Sequence, residues 1–449
     1  MTRFTADWVL PVSAPAIASG EVEVVSDRIA YIGPARDGER GDLMRLGRAV
    51  LLPGLVNTHT HLELTAMRGF IEEMPFRPWL LRLTNARQSV LSRDALLTSA
   101  RAGIAEGLVA GITTFADTCE SGVVLEALVE MEVRGVMYQE VFGPDPAQCA
   151  ESLRTLQAKV DALRERQTPQ VTLGVSPHAP YTVSASLFSA VTRYARDAEL
   201  PMAVHAAEGE DESLLILDGS GAFGEGLRSR GIPVSPSGES PIALLERSGV
   251  LEARPLLIHC VRSGERDIAS MAKHDCAIAH CPASNAKLGH GIAPLTDFLS
   301  SGIRVGLGSD SVASNNRMDM LDEARVAVLM QRARLSRCDI LPAEKALWLA
   351  TAGGATALDM QDAIGTLEVG KRADLAAFSL GAPRTTPAFA PEDALLWALA
   401  GHSAILTVVA GKILVRDGAL VSPRDSDLAS VAAIGNSLAS WLRDESAPV

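Results

Sequence analysis

Pro53-Gly54-Leu55-Val56-Asn57-Thr58-His59-Thr60-His61 decides how this chain of 449 residues is read. A short apolar run ends in two histidines two positions apart. In a strand such residues point to the same side. His59 and His61 can therefore present two imidazoles to one ion. The pair alone is a weak sign, because a lone strand-end histidine is more often a satisfied core residue.

Outward from that strand the chain alternates. Strand-like apolar runs end near His59, Asp117, Val141, Ser176, His205, His259, His280 and Asp310. Each is followed by a segment of helical period. The first is Ser92–Ala110, with Ser92 as N-cap and Leu96, Leu97, Ala100, Ile104 and Leu108 on one face. Seven more follow: Val123–Arg134, Ala147–Arg166, Ala185–Ala198, Ile242–Ser248, Gly264–His274, Ile292–Ser300 and Met320–Arg334. Eight β/α units in a span somewhat longer than the ~250 residues of a typical barrel predict an α/β fold of the (β/α)8 TIM-like kind. A doubly wound open sheet is the alternative that strand count alone leaves standing. Two connections exceed the roughly 2–6 residues usual for a βα loop. They run from Leu62 to Leu91 and from Glu208 to about Ser240, and both follow histidine-bearing strand ends.

The two ends of the chain have another texture. Glu21–Val25 and Ile29–Ile32 are short, turn-bounded and strand-like, and so are Ile405–Lys412 and Ile413–Arg416. We expect residues 1–53 and 365–449 to form one small composite β-sandwich, and residues 54–364 to form the barrel.

Composition narrows the class. Hydrophobic residues make up 47%, enough for a large core. No apolar run approaches the roughly 20 residues of a spanning helix, and the N-terminus lacks the apolar stretch of a leader. The net charge of −13 argues against nucleic acid and against a membrane surface. Cys119, Cys149, Cys260, Cys276, Cys281 and Cys338 show no paired spacing, and we read them as reduced thiols of a cytoplasmic protein.

Three further residues give the HxH pair its meaning. His205 ends the fifth strand in Met202-Ala-Val-His205-Ala-Ala-Glu208. His259 ends the sixth in Leu256-Leu-Ile-His259-Cys260. Asp310 ends the eighth in Gly306-Leu-Gly-Ser-Asp310-Ser311. Strand ends of a barrel converge on its active face. Imidazoles and a carboxylate there suit one Zn²⁺, with Fe²⁺ second, and a water completing the shell.

Together, HTH after PGLVN, HAAE, HC, GLGSDS and the late GTLEVGKRADL resemble the amidohydrolase superfamily. The nearest branch holds cytosine deaminase-like, S-adenosylhomocysteine/methylthioadenosine, aminodeoxyfutalosine and chlorohydrolase-type enzymes. The resemblance spans nearly the whole chain. It implies that His59, His61, His205 and Asp310 bind the metal, that His259 faces the water or the developing oxyanion, and that Glu208 shuttles a proton to a ring nitrogen. The implied function is hydrolytic deamination of an amino-substituted heterocycle, with release of ammonia. Attack at the amine-bearing carbon breaks aromaticity, so an acid must protonate the neighbouring ring nitrogen, and Asp310 can pass the water proton to the leaving amine. The fourth strand, Val171-Thr-Leu-Gly-Val-Ser-Pro-His178, lacks the lysine that binuclear relatives use, which favours a single ion. A cytidine-deaminase-type zinc site is excluded, because His61-Leu-Glu63 has no C-x-x-C to complete it.

Substrate clues are thinner. His178 and Ser311 (with Asn315 and Asn316) echo the nucleoside-acting branch, although His178 could simply hold a loop and Ser311 could cap a helix. Trp79 can stack on a heterocycle or anchor its loop. Gln88 stands where the resemblance expects a ribose-reading Glu. Glu63 can accept from sugar hydroxyls or brace the metal loop. Arg68 and Arg87 lie in the long loop, yet no clear counterpart exists for the arginines that hold a homocysteine carboxylate. The expectation is an adenine nucleoside, aminodeoxyfutalosine first, then S-adenosylhomocysteine or methylthioadenosine. Free aminopurines or pterins, triazines, and ring opening of the imidazolonepropionase kind follow. A non-catalytic metal-binding protein on the same fold is the rival from another class; it would have no need of Glu208. The resemblance also leaves room for a homodimer.

Overall fold

The structure, a computed structural model, describes residues 1–38 and 41–445. Eight parallel strands form the barrel: Leu55–Thr60, Ile112–Cys119, Arg134–Val141, Val171–Pro177, Ala203–Ala206, Leu256–His259, Ala277–His280 and Arg304–Leu307. The first four pair in sequence order, and so do the last four. Bridges between Thr60 and Asp310 and between Val175 and Met202 join the two halves. The ring is therefore closed, and the open-sheet alternative falls. Each strand is buried along its length, as parallel strands covered by helices must be. The helices sit close to their predicted places; Arg93–Val109 begins at Ser92, whose hydroxyl accepts from the Ala95 amide at 3.2 Å.

Both termini build one nine-stranded sheet. Ala49–Pro53 pairs antiparallel with Leu375–Ser379 and so stitches the N-terminal strands to the C-terminal ones. Phe4, Val22, Leu51, Leu375 and Val408 fill a separate small core. The helix Asp425–Glu445 leaves that sheet and packs on the barrel, with Leu438 buried and Trp441 6.2 Å from Phe70.

The expectation of two long loops is corrected. Leu62–Leu91 contains a 3-10 turn, Leu62–Met67, and a helix, Phe76–Val90. Glu208–Ser240 contains the helices Glu210–Leu217 and Gly221–Ser229. Prolines at 75 and 78 mask the first helix in sequence, but Pro is tolerated in a first turn. Its buried face is Trp79, Leu83 and Ala86, at i, i+4 and i+7. Phe76–Val90 walls the mouth of the barrel, and Leu215, Ile216 and Phe223 of the later helices pack with Phe76 and Tyr181.

Candidate active site

The first strand carries His59 and His61 to the barrel mouth, with Asn57 one turn of the pleat below. Asn57 donates to the Ser309 hydroxyl at 2.7 Å, and its carbonyl accepts from the Ser309 amide at 3.0 Å. That clamp ties the first strand to the segment that delivers Asp310. Asp310 lies three residues beyond the last strand rather than at its end, in the left-handed region at φ 59°. His259 does the same at φ 72°. Such backbone is costly for a residue with a side chain, and clusters at functional sites.

Five predicted residues come together here. The ligand atoms of His59, His61 and His205 lie within 4.8 Å of one another, and so do those of His59, His259 and Asp310. Asp310 Oδ1 is 3.2 Å from His59 Nε2 and 3.6 Å from His61 Nε2. Its other oxygen accepts from Ser284 at 2.5 Å and Ser314 at 3.0 Å. The second ring nitrogens are occupied. His61 Nδ1 sits 3.0 Å from the Thr118 carbonyl, His205 Nδ1 3.1 Å from the His178 carbonyl, and His259 Nδ1 2.9 Å from Asn285 Oδ1. Partners that only accept oblige each Nδ1 to carry the hydrogen, which leaves each Nε2 lone pair facing inward.

Electrostatics agree with that arrangement. Burial, opposed by Asp310, pulls His59 down to about 4, and burial likewise lowers His61 and His205. Neutral imidazole is the form that binds a cation. Burial works against charge on Asp310, but His59 beside it outweighs that and holds the carboxyl well below its usual range. His59 Nε2 is buried and makes no hydrogen bond. A buried nitrogen without a partner, aimed at a carboxylate among three other lone pairs, fits one divalent ion.

Glu208 stands beside the cluster. Its Oε1 is 3.5 Å from His259 Nε2 and 3.4 Å from His290 Nε2, and its Oε2 accepts from Tyr181 at 3.2 Å. Burial alone would raise its pKa; His259 and His290 reverse this and bring it to about 2. Glu212 fixes its backbone. That carboxylate, in the first turn of the helix Glu210–Leu217, accepts from the Ala207 and Glu208 amides at 2.9 and 2.7 Å.

Above the cluster opens a cavity of about 440 Å³ lined by His61, His178, Tyr181, His205, Glu208, His259, Asp310 and Ser311, with Phe76, Trp79 and Phe142 as aromatic walls. His178 Nδ1 lies 2.7 Å from the Thr182 hydroxyl. Ser311 caps the short helix Val312–Asn315, accepting from Ala313 at 3.1 Å, yet also borders the cavity. Trp79 is buried, and its indole N–H donates to Ile71 at 3.2 Å, so it anchors its loop while also lining the cavity. Gln88 is exposed on the cavity rim. Of its two expected roles, Glu63 is placed for the second. It is held by Arg87 at 2.7 Å, by Cys119 at 3.0 Å and by Ser121, which leaves it a brace rather than a free acceptor. Arg68 pairs with Glu106 and the Asn316 carbonyl, outside the cavity.

Sequence reading missed His290, Tyr181, Asn285 and Glu212. His290 carried a signal: a histidine between glycines, Gly289-His290-Gly291, in a loop on the catalytic face.

A closed barrel with a buried His/Asp cluster at the C-terminal ends of its strands defines a metal-dependent hydrolase of the TIM-barrel class. Residues 50–414 match the amidohydrolase family, and the chain belongs to it. It is 32% identical over 418 residues to a 5-methylthioadenosine/S-adenosylhomocysteine deaminase of Moorella thermoacetica, covering 91% of this chain and 93% of that one. It resembles the zinc-bound structure of an adenosine deaminase from Xanthomonas campestris at a TM-score of 0.86 and 26% identity, over 98% of both chains. Helicobacter pylori aminofutalosine deaminase, solved with methylthio-coformycin, shares the fold at a TM-score of 0.79 and 21% identity, over 92% of this chain and all of that one. Among the described residues no helix is long and apolar enough to cross a membrane.

Proposed function

We propose that the protein is a hydrolytic deaminase of an adenine nucleoside with a 5′ substituent, releasing ammonia. One observation carries this reading: an ionised Glu208, pinned by Glu212 and Tyr181, stands between the inward-facing imidazoles and an aromatic cavity. His59, His61, His205 and Asp310 would hold one divalent ion, zinc before iron. When bound, such an ion supplies Lewis acidity that brings the pKa of water toward neutrality.

The chain's own groups do the rest. Asp310 accepts a proton from the attacking water and returns it to the departing amine. Glu208, ionised before substrate arrives, collects the water's other proton and delivers it to the ring nitrogen beside the amine-bearing carbon. His259, its Nδ1–H anchored on Asn285, steadies charge developing at that carbon's oxygen. Trp79, Phe76 and Tyr181 exclude water, His178 and Ser311 offer polar contacts, and Gln88 meets the outer part of the substrate. Glu63 acts at one remove, through Arg87.

The similarity to methylthioadenosine/S-adenosylhomocysteine deaminases supports that substrate pair over aminodeoxyfutalosine, whose deaminase shares only the fold. We also propose residues 54–364 as the hydrolase unit, with 1–53 and 365–449 forming the β unit, and a cytoplasmic location that suits six free thiols.

Steady-state kinetics test the nucleoside reading. 5′-Methylthioadenosine should exceed adenine, guanine, cytosine and isoxanthopterin in kcat/KM by at least about tenfold, or ~1.4 kcal/mol. A free base that wins this comparison sinks the nucleoside and spares the deaminase.

A further inference from the structure

Part of the cavity lining is acidic. Glu63, Glu120 and Glu140 all line it, and Arg87 is the one Arg or Lys among the lining residues. Arg87 is already committed. It donates to Glu63 at 2.7 and 3.1 Å and to Glu120 at 2.8 Å. Glu140, at the end of the third barrel strand, is only 7% exposed, and its Oε1 is buried with no hydrogen-bond partner. A carboxylate oxygen of Glu140 lies within 4.8 Å of ring nitrogens of His178 and His205, on the cavity floor.

Resting on the adenine-nucleoside reading, we infer that Glu140 is a specificity residue: with Glu63 and Glu120 it disfavours substrates that carry a carboxylate. A carboxylate entering this cavity would lose its water and find no unpaired cation, next to three carboxyl groups. Discrimination thus comes from what the wall repels rather than from a contact made only to the favoured substrate.

Three thioether nucleosides isolate the effect: 5′-methylthioadenosine, S-adenosylhomocysteine, and the latter's analogue without its carboxylate, 5′-S-(3-aminopropyl)thioadenosine. Ammonia release by the metal-loaded enzyme should favour methylthioadenosine over S-adenosylhomocysteine by at least about tenfold in kcat/KM, mainly through KM. The aminopropyl compound, equally long but lacking the carboxylate, should recover most of that loss. Glu140→Gln should shrink the ratio several-fold. Glu120→Gln, at a half-exposed site that leaves the core untouched, should do so too by releasing Arg87. If S-adenosylhomocysteine equals or beats methylthioadenosine, or the aminopropyl compound is as poor as S-adenosylhomocysteine, or both variants keep the wild-type ratio, the inference is overturned while the deaminase stands. If none of the three compounds releases ammonia, the nucleoside reading itself fails and takes this inference with it.

Discussion

At the end of the barrel that faces the β-sheet, Arg134 and Asp374 are buried and bound to each other at 2.7 and 3.2 Å, and Asp374 accepts a further hydrogen bond from Ala410 at 2.7 Å. At the opposite end His59, Glu140 and His290 are buried just as deeply, and each keeps a polar atom without a hydrogen bond. At the mouth Ala207, His259 and Asp310 have positive φ, but so does Ala410, whose amide meets Asp374 at the other end, so backbone does not separate the two. Left-handed backbone at a residue with a side chain costs about 1–3 kcal/mol. Buried polar atoms without a partner, gathered around the His/Asp cluster, mark the end built for a ligand. A closed set of partners marks the end that holds the molecule together.

The comparison breaks most readily at the histidine pair. A His59→Ala/His61→Ala double variant should fold but retain no stoichiometric metal on elemental analysis, with turnover down by more than about 10⁴-fold. Full metal retention would mean that the unpartnered lone pairs serve something else. Glu208→Gln should have the next largest effect on rate. Metal should stay, because Glu208 faces His259 and His290 rather than the proposed ligands, while kcat falls by roughly 10²–10⁴. Unchanged turnover with metal intact would remove Glu208 from the proton path. At the opposite end Asp374→Asn should leave kcat/KM of the folded protein unchanged and lower unfolding free energy by about 3–5 kcal/mol in denaturant melts, the cost of stranding one partner of a buried pair. If it instead alters kcat/KM with little loss of stability, the two ends are not separable.

Much of this was legible in the sequence because it rests on period and position. Eight apolar runs alternating with helical segments predict the barrel, and His59, His61, His205, His259 and Asp310 are each found by being at or just past a strand end. What escaped depends on geometry that no local pattern encodes. Phe76–Val90 has a buried face at helical spacing, yet two prolines nearby made its segment look like a loop. His290 reaches Glu208 only because the loop after the seventh strand folds back over the mouth, where it packs on Phe76 with ring centres 4.6 Å apart. Two roles stay open for Glu63 beside the HTH motif until the fold brings Arg87, Cys119 and Ser121 around it. Closure of the ring, too, is visible only in the Thr60–Asp310 and Val175–Met202 bridges.

The most direct test of the central claim is to strip the protein with a chelator and measure ammonia release from 5′-methylthioadenosine as zinc is returned in known increments. Ammonia and the change in adenine absorbance should rise together and level off at about one ion per chain. Full turnover by the stripped protein, saturation only at two tightly bound ions, or loss of the nucleoside without ammonia would contradict it.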